Sequence, residues 1–152
     1  MTVQRFDMSG SLSPSRTRDI VAISKLWNQI PTDVGFALND PQDTETLRLL
    51  MMGLDYFVKR NNQLQVIGAA SVMLCSPQLA KIDSLAVDPK YHLRGYGKQL
   101  AKSAVNYCAS IGCEEIVTFA VPASQPIFTS LGFEVFERHS STGNATMFCD
   151  LT

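Results

Sequence analysis

Residues 85–97 of the sequence read LAVDPKYHLRGYG and run without a break into an amphipathic stretch at residues 98–111. Two glycines, Gly95 and Gly97, flank Tyr96 between an apolar, strand-like segment and a predicted helix. Glycine has no Cβ, so the backbone can approach a ligand closely, and the first turn of a helix carries N–H groups without a partner inside the helix. These groups and the helix dipole favour negative charge. The segment therefore predicts a cradle for an anion, usually a phosphate.

The rest of the chain reads as strands and helices arranged around this loop. Apolar residues recur at spacings of three and four in the predicted helices, and they alternate or run together in the predicted strands. We expect the order β-α-α-β-β-β-α-β-α-β-β, a mixed sheet with the strand, loop and helix unit at its centre. The predicted strands are residues 3–8, 55–59, 64–75, 81–87, 115–121, 133–139 and 145–151, and the predicted helices are residues 14–29, a segment that begins near 43, 97–111 and 124–131.

Composition limits the classes of protein that the chain can represent. Its 152 residues are most simply one domain, and 45% hydrophobic and 18% charged residues are typical of a soluble globular protein. The formal net charge of −1 gives no overall attraction to nucleic acid or to a membrane surface. The four cysteines show no metal-binding spacing and are expected to be small core residues under reducing conditions. With no signal peptide and no long apolar run, the sequence predicts a cytoplasmic protein that binds neither membrane nor nucleic acid.

Two common phosphate-binding motifs are excluded. A P-loop requires GxxxxGK[ST], which the residues around Lys98 do not supply. A dinucleotide fingerprint GxGxxG would need glycine at position 100, where the sequence has Leu100. The predicted cradle therefore belongs to another kind of phosphate site.

Two motifs resemble those of the GNAT superfamily of N-acyltransferases. Val87-x-Pro89-x-Tyr91-His92-x-Arg94-Gly95-x-Gly97 resembles the acyl-CoA signature of that family, usually written Gln/Arg-x-x-Gly-x-Gly/Ala. Downstream, Ile127-Phe128-x-x-x-Gly132-Phe133 resembles its helix-then-strand element, commonly Leu-Tyr-x-x-x-Gly-Phe. The two motifs stand at the separation usual in the family. The resemblance implies a single GNAT-like α/β domain over residues 1–152, with a mixed, mostly antiparallel sheet of about six or seven strands and about four helices.

The resemblance also implies an activity and a binding mode. Such a protein is an acetyl-CoA-dependent N-acetyltransferase that needs no metal and transfers the acetyl group directly to the amine of a small molecule or peptide. The strand at residues 82–87 would splay from residues 116–119, and the pantetheine arm would bond between them to the backbone of Leu85, Ala86 and Val87. The pyrophosphate would lie on the loop, which gives the expected contacts His92, Leu93, Arg94, Gly95, Tyr96, Gly97 and Lys98.

The sequence departs from the family pattern at two positions in these motifs. His92 replaces the usual glutamine or arginine, and it is either a polar residue near the pyrophosphate or an exposed loop histidine. Phe128 replaces a tyrosine that protonates the leaving thiolate in many relatives, and its ring has no proton to donate. We expect Phe128 to pack against the acyl or pantetheine chain. Ser124, in the same element, either helps to supply the proton or caps the helix.

The general base is the least determined role. Some relatives carry a glutamate where this sequence has Lys81, which cannot act as a base near neutral pH without a large pKa shift. Asp83 lies two residues on and therefore on the same face of the strand, and it is the candidate base. Asp83 is alternatively an exposed strand residue or a partner for Lys81. The N–H of Val87 or Leu85 is the candidate oxyanion donor.

A second function class stays open beside the enzyme. The chain could be a CoA-binding regulatory or partner-binding module that kept the cradle and lost catalysis, because Phe128 and Lys81 stand at catalytic positions. An adaptor with a degenerate site is disfavoured, since Arg94, Gly95 and Gly97 are intact. The acidic segment at residues 33–45 is where relatives place acceptor-binding loops. A homodimer, paired through the final hairpin, is also left open.

Overall fold

In the described part of the chain, seven strands pair into one mixed sheet, as the sequence predicts. The structure is a computed structural model, and it describes residues 2–7, 13–27 and 54–152. The strands are β1 (Gln4–Phe6), β2 (Asp55–Arg60), β3 (Val66–Leu74), β4 (Leu79–Val87), β5 (Glu115–Ala120), β6 (Glu134–Arg138) and β7 (Ala145–Asp150). The helices in this part of the chain are α1 (Pro14–Trp27), α2 (Tyr96–Ser110) and α3 (Gln125–Ser130), with a 3-10 turn at Pro89–Tyr91.

The order of the strands puts the predicted cradle at the middle of the sheet. Across the sheet the strands run β1-β2-β3-β4-β5-β7-β6. Every neighbouring pair is antiparallel except β4 and β5, which are parallel. A parallel pair needs a long crossover connection, and here the crossover consists of the 3-10 turn and α2. The loop between β4 and α2 therefore emerges beside the central pair of strands.

One helix covers each face of the sheet near its centre. The apolar face of α2 buries Leu100, Ala101, Ala104 and Cys108 in a core that includes Ile82 and other strand residues. On the opposite face, α1 buries three residues spaced at three, Ile20, Ile23 and Leu26, against β2 and β3. Full burial of a large aliphatic side chain contributes about 1.5–3 kcal/mol. These two clusters fix the sheet between α1 and α2, which we call the α1 face and the α2 face.

The boundaries of the elements differ from the prediction by one or two residues at most ends. Arg60 extends β2 by one residue beyond the prediction, and its guanidinium contacts the Asp19 carboxylate in α1 with two N···O distances of 3.0 Å. The second predicted helix, near residue 43, and the acidic segment at residues 33–45 lie outside the described residues. None of the helices in residues 13–27 and 54–152 is long and apolar enough to cross a membrane.

The cysteines match the core expectation at three of four positions. Cys108, Cys113 and Cys149 are buried free thiols, whereas Cys75 is exposed at the end of the β3 hairpin. The expectation is wrong for Cys75 because it follows the last residue of β3 and leaves the sheet. At the far edge of the sheet, all five residues of β6 are exposed, among them Phe136 at 74%.

Candidate active site

The loop between β4 and α2 has the geometry of an anion cradle. Leu93 and Gly95 both take left-handed backbone angles, with φ of 63° and 79°. The first hydrogen bond of α2 runs from Gln99 N to Gly95 O at 3.1 Å. The amides of residues 96–98 therefore belong to the unpaired first turn of the helix. Two residues with left-handed backbone angles and three helix-start amides make a surface that favours an anion.

The two glycines of the cradle serve different purposes. A Cβ on Gly95 would meet no atom within 4 Å, so the space in front of it is open, and glycine is needed there for its positive φ. A Cβ on Gly97 would lie 3.0 Å from Cδ1 of Ile127 in α3, so glycine is needed there for the close approach of the two helices. The space in front of Gly95 is therefore open to a ligand, and its contact with phosphate stays a prediction.

Aromatic rings and cations hold the cradle loop against the sheet. The guanidinium of Arg94 lies 5.2 Å from the Tyr91 ring centroid, and the Tyr91 and Tyr96 centroids are 6.5 Å apart. On the other side of Tyr96, Lys59 Nζ is 4.9 Å from the ring centroid, although Lys59 is buried. Arg94 and Lys98 are exposed and add positive charge to the cradle. Lys59 was not predicted, because a lysine that precedes a polar turn is normally exposed.

His92 turns back toward β4. Its Nε2 lies 2.7 Å from the carbonyl oxygen of Val87, and because a carbonyl only accepts, Nε2–H is the donor. The side chain is exposed, as one of the two sequence interpretations expects. The histidine thus closes the loop onto the last residue of the strand, and its predicted contact with pyrophosphate stays a prediction.

The two central strands, β4 and β5, separate beside this loop. Residue pairs between β4 and β5 run from Leu79 with Glu115 to Ile82 with Thr118. Beyond that point β4 stays paired with β3 up to Val87, and β5 stays paired with β7 up to Ala120. The strands therefore diverge as predicted and form a fork, whose arms are the ends of β4 and β5 that no longer pair with each other. Leu85 to Val87 lie on the β4 arm, which leads to the cradle.

A β-bulge explains where the fork begins. Ser71 on β3 pairs with Ser84 and Val72 pairs with Ile82, so Asp83 is an extra residue in β4. An extra residue bends its strand and increases the twist. The bend follows immediately after Ile82, the last residue of β4 that pairs with β5.

The fork leaves a shallow cleft, open to solvent, between its two arms. Two of its walls are strands and the third is the start of α3. Asp83, Leu85, Ser124 and Phe128, all predicted site residues, line it. The lining also includes six residues that were not predicted as site residues, Ile82, Ser84, Thr118, Phe119, Ala120 and Val121. No sequence signal marked the β5 wall, because Thr118 and Phe119 lie in a strand of mostly apolar residues.

Asp83 is engaged in an ion pair. Lys81 Nζ lies 3.1 Å from its Oδ1, which confirms that the two residues share a face and that Asp83 is a partner for Lys81. Their side chains are 33% and 17% exposed. Burial and the nearby charge of Asp83 raise the pKa of Tyr56 well above its usual value. Tyr56 therefore stays a neutral phenol near this carboxylate at physiological pH.

The wall formed by α3 shows how Phe128 and Ser124 are used. Phe128 is 2% exposed and packs edge-on against Phe133, with ring centroids 5.1 Å apart. Phe128 therefore packs against a core residue, and its contact with an acyl or pantetheine chain stays a prediction. Ser124 stands at the cap position of α3, but its side chain makes no capping hydrogen bond, so the capping interpretation is wrong. The helix begins with Pro126 in its first turn instead, and the Ser124 side chain lines the cleft.

The predicted residues fall into two adjoining groups. The cradle group comprises His92, Leu93, Arg94, Gly95, Tyr96, Gly97 and Lys98, and the cleft group comprises Asp83, Leu85, Ser124 and Phe128. Ala86 and Val87 on β4 connect the two. Leu93 points fully into solvent. Within the described residues, no group of three or more His, Cys, Asp or Glu side chains could hold a metal ion.

Comparison with known proteins gives this arrangement a family. The sequence model of the acetyltransferase (GNAT) family matches residues 22–133, well over half of the chain. The chain belongs to the GNAT acetyltransferase family. This confirms the predicted family and enzyme class, an acetyl-CoA-dependent acyltransferase. No protein of curated function matches the sequence.

Solved structures show how widely the GNAT fold of this chain is shared. Tetrahymena GCN5 is 17% identical and superposes with a TM-score of 0.73, covering 100% of this chain and 97% of its own. The phosphinothricin acetyltransferase of Sinorhizobium meliloti, solved with acetyl-CoA, is 21% identical with a TM-score of 0.73 and covers 99% and 89%. A GNAT acetyltransferase from Elizabethkingia anophelis, with acetyl-CoA bound, is 16% identical with a TM-score of 0.66 and covers 99% and 97%. At these identities the likeness establishes the fold.

Proposed function

We propose that this GNAT protein transfers an acetyl group from acetyl-CoA to a primary amine by direct attack of the amine on the thioester. The observation that carries the proposal is the fork between β4 and β5, which opens directly onto the glycine cradle along one strand. A phosphate on the cradle and a reacting group in the cleft would lie at the two ends of a path along the backbone of Leu85 to Val87. An extended, amide-bearing arm such as pantetheine fits that path.

The cradle supplies the affinity for the cofactor in this proposal. The pyrophosphate would lie on the amides of residues 93–98, with Arg94 and Lys98 beside it. Charge-assisted hydrogen bonds of this type contribute about 1.5–3 kcal/mol each, and less where solvent screens them. Along the fork, pantetheine amides would satisfy strand N–H and C=O groups of β4 that β5 no longer reaches.

The chemistry assigns one task to each group around the cleft. Asp83 takes a proton from the acceptor ammonium and later releases it to solvent. The neutral amine then attacks the thioester carbonyl while the N–H of Val87 or Leu85 holds the developing oxyanion. The C–N bond forms and the C–S bond breaks; of the two protons left on the nitrogen, one passes to the thiolate and the other stays on the amide product. Because Phe128 cannot donate, the Ser124 hydroxyl is the protein group proposed to relay that proton.

A thermal shift experiment tests the cofactor half of the proposal. Acetyl-CoA should raise the melting temperature of the wild-type protein, and Gly95→Asp, which places a negative charge in the cradle, should abolish the increase. Asn106→Asp makes the same charge change on the exposed side of α2 and should keep it. A wild-type melting temperature that does not respond to acetyl-CoA would refute the cofactor site.

Thiol release tests the transfer half. With acetyl-CoA and a panel of primary amines, the wild-type protein should release free CoA, and Asp83→Asn should lower kcat by about tenfold or more. The alternative, a CoA-binding regulatory module, predicts a thermal shift without thiol release for any amine. That alternative draws on two observations, the ion pair that occupies Asp83 and the phenyl ring at Phe128.

A homodimer and a cytoplasmic location are the remaining parts of the proposal. The surface that would carry the dimer is β6, because it ends the sheet and exposes Val135 and Phe136. The acceptor is proposed to be a small molecule or a peptide with a free amine, and neither nucleic acid nor membrane is proposed as a partner. Light scattering at several protein concentrations measures the oligomeric state directly.

A further inference from the structure

Asp83, in the wall of the cleft, forms an ion pair with Lys81, which lies two residues earlier on β4. Lys81 and Asp83 point from β4 to the face opposite Ile82, which is buried with α2. The cradle lies at the first turn of α2, so the ion pair stands on the other side of the sheet from the proposed donor site. It is therefore on the side from which an acceptor would reach the thioester.

This pair disfavours an acceptor that carries only a positive charge. An ammonium that binds Asp83 must either stand close to Lys81 Nζ, which is 3.1 Å from the same carboxylate, or displace it. Like charges at such a distance repel, and a displaced Lys81 loses its partner while two thirds of its side chain is buried. A site of this kind selects among acceptors by repelling some of them as well as by attracting others.

An acceptor that carries both charges avoids this cost. From the geometry we infer that the acceptor is a zwitterion of the α-amino acid type, whose ammonium binds Asp83 and whose carboxylate binds Lys81. The two ion pairs replace the one between Lys81 and Asp83, so neither residue is left without an opposite charge. Ser84, the next residue in the cleft wall, offers a hydroxyl as a further donor to the carboxylate. This inference rests on the proposed function, because it specifies the acceptor of the same site.

The opposite wall indicates an apolar side chain on that acceptor. Phe119 lines the cleft from β5 and is half-buried, with His139 packed edge-on at 5.1 Å between ring centroids. Val117, directly opposite Lys81 in the ladder, is half-buried as well. Apolar amino acids are therefore the appropriate probes.

Paired acceptors that differ only in the carboxylate provide the test. L-phenylalanine, L-leucine and L-methionine are each compared with the corresponding amino acid amide. For at least one pair we expect kcat/KM to be about tenfold or more higher for the acid, because the amide cannot form the ion pair with Lys81. The amine of the amide is the less basic of the two, so basicity alone would favour the amide.

Variants at two lysines show whether Lys81 causes the preference. Lys81→Gln should bring the acid-to-amide ratio close to one, and Lys102→Gln, which removes an exposed charge from α2, should keep the wild-type ratio. Equal rates for acid and amide in all three pairs, or an unchanged ratio in Lys81→Gln, would overturn the inference.

A binding measurement separates this inference from the proposed function. If no amine releases thiol, acetyl transfer fails, and calorimetry on the CoA-saturated protein still measures amino acid binding. We then expect one of the three acids to bind the wild-type protein at least about tenfold more tightly than Lys81→Gln. Absence of binding by all three acids overturns the inference.

Discussion

The hydroxyl of Thr118 donates a hydrogen bond of 2.9 Å to the carbonyl oxygen of Ile82, the residue opposite it in the last pair of β4 and β5. Both residues are buried. A threonine side chain thus closes the fork at its base and satisfies a carbonyl at the point where the ladder stops.

Thr118→Val should weaken this closure. Valine keeps the shape of the side chain but leaves a buried carbonyl without that donor, so we expect the free energy of unfolding to fall by about 1–2 kcal/mol. Urea denaturation measures the change. Thr146→Val, the same substitution at a half-buried position on β7, is the control and should change stability by less than about 0.5 kcal/mol. Equal effects at both positions would show that the fork needs no closing bond.

His92→Leu should loosen the cradle loop by removing the hydrogen bond to Val87. Because the histidine is exposed, stability should change little, whereas the dissociation constant for acetyl-CoA should rise about threefold to tenfold as the loop must be ordered on binding. His92→Gln, which restores the residue type usual in the family and an N–H donor, should stay within about twofold of wild type. Isothermal titration calorimetry compares the three proteins. If leucine and glutamine bind acetyl-CoA alike, the contact has no role in binding.

Ser71→Ala addresses a buried hydroxyl on the α1 face. Ser71 is completely buried, and its Oγ has no hydrogen-bond partner among the residues that the structure describes. Removal of an unsatisfied buried hydroxyl relieves its desolvation cost, so Ser71→Ala should be as stable as wild type or more stable by up to about 1 kcal/mol. Ser71→Cys should likewise leave the free energy of unfolding unchanged or raise it slightly. A loss of more than about 1 kcal/mol in both variants would show that the hydroxyl has a bound partner.

Stability at high pH should reveal the buried thiol of Cys108. Burial, the largest cause, and the neighbouring Cys113 raise the pKa of Cys108 from 9.0 to about 12. The folded protein therefore holds this proton while the unfolded chain loses it, so the contribution of the group is intact below pH 9 and is lost as the pH rises toward 12. The stability difference between wild type and Cys108→Ala should shrink by about 1–2 kcal/mol between pH 8 and pH 10.5. A difference that stays constant over that range would contradict the shift.

The parts of the molecule that the sequence predicts are those set by local pattern. The strand order along the chain, the cradle at Gly95 and Gly97 and the pairing partner of Asp83 follow from periodicity, glycine spacing and the period of a strand. The bulge at Asp83 does not, because one extra residue in β4 depends on which residue of β3 it faces. The bond from His92 to Val87 is likewise a property of the folded loop.

Residues of the cleft were harder to predict for the same reason. Thr118 and Phe119 lie in an apolar strand where nothing in the sequence distinguishes a wall of a cleft from a wall of the core. Ser124 has the residue type and position of a helix cap, and only the structure shows that its side chain is not used as one. Sequence reasoning therefore located the glycine cradle but did not identify most of the residues that line the cleft.

The parallel seam between β4 and β5 is short. Among the described residues, four strand pairs join the half of the sheet that contains β1 to β4 to the half that contains β5 to β7. The apolar core beneath α2 contains residues of both halves, including Ile82 from β4, Ile116 from β5 and Met147 from β7. Side-chain packing across the seam, together with its few backbone bonds, therefore sets the width of the cleft.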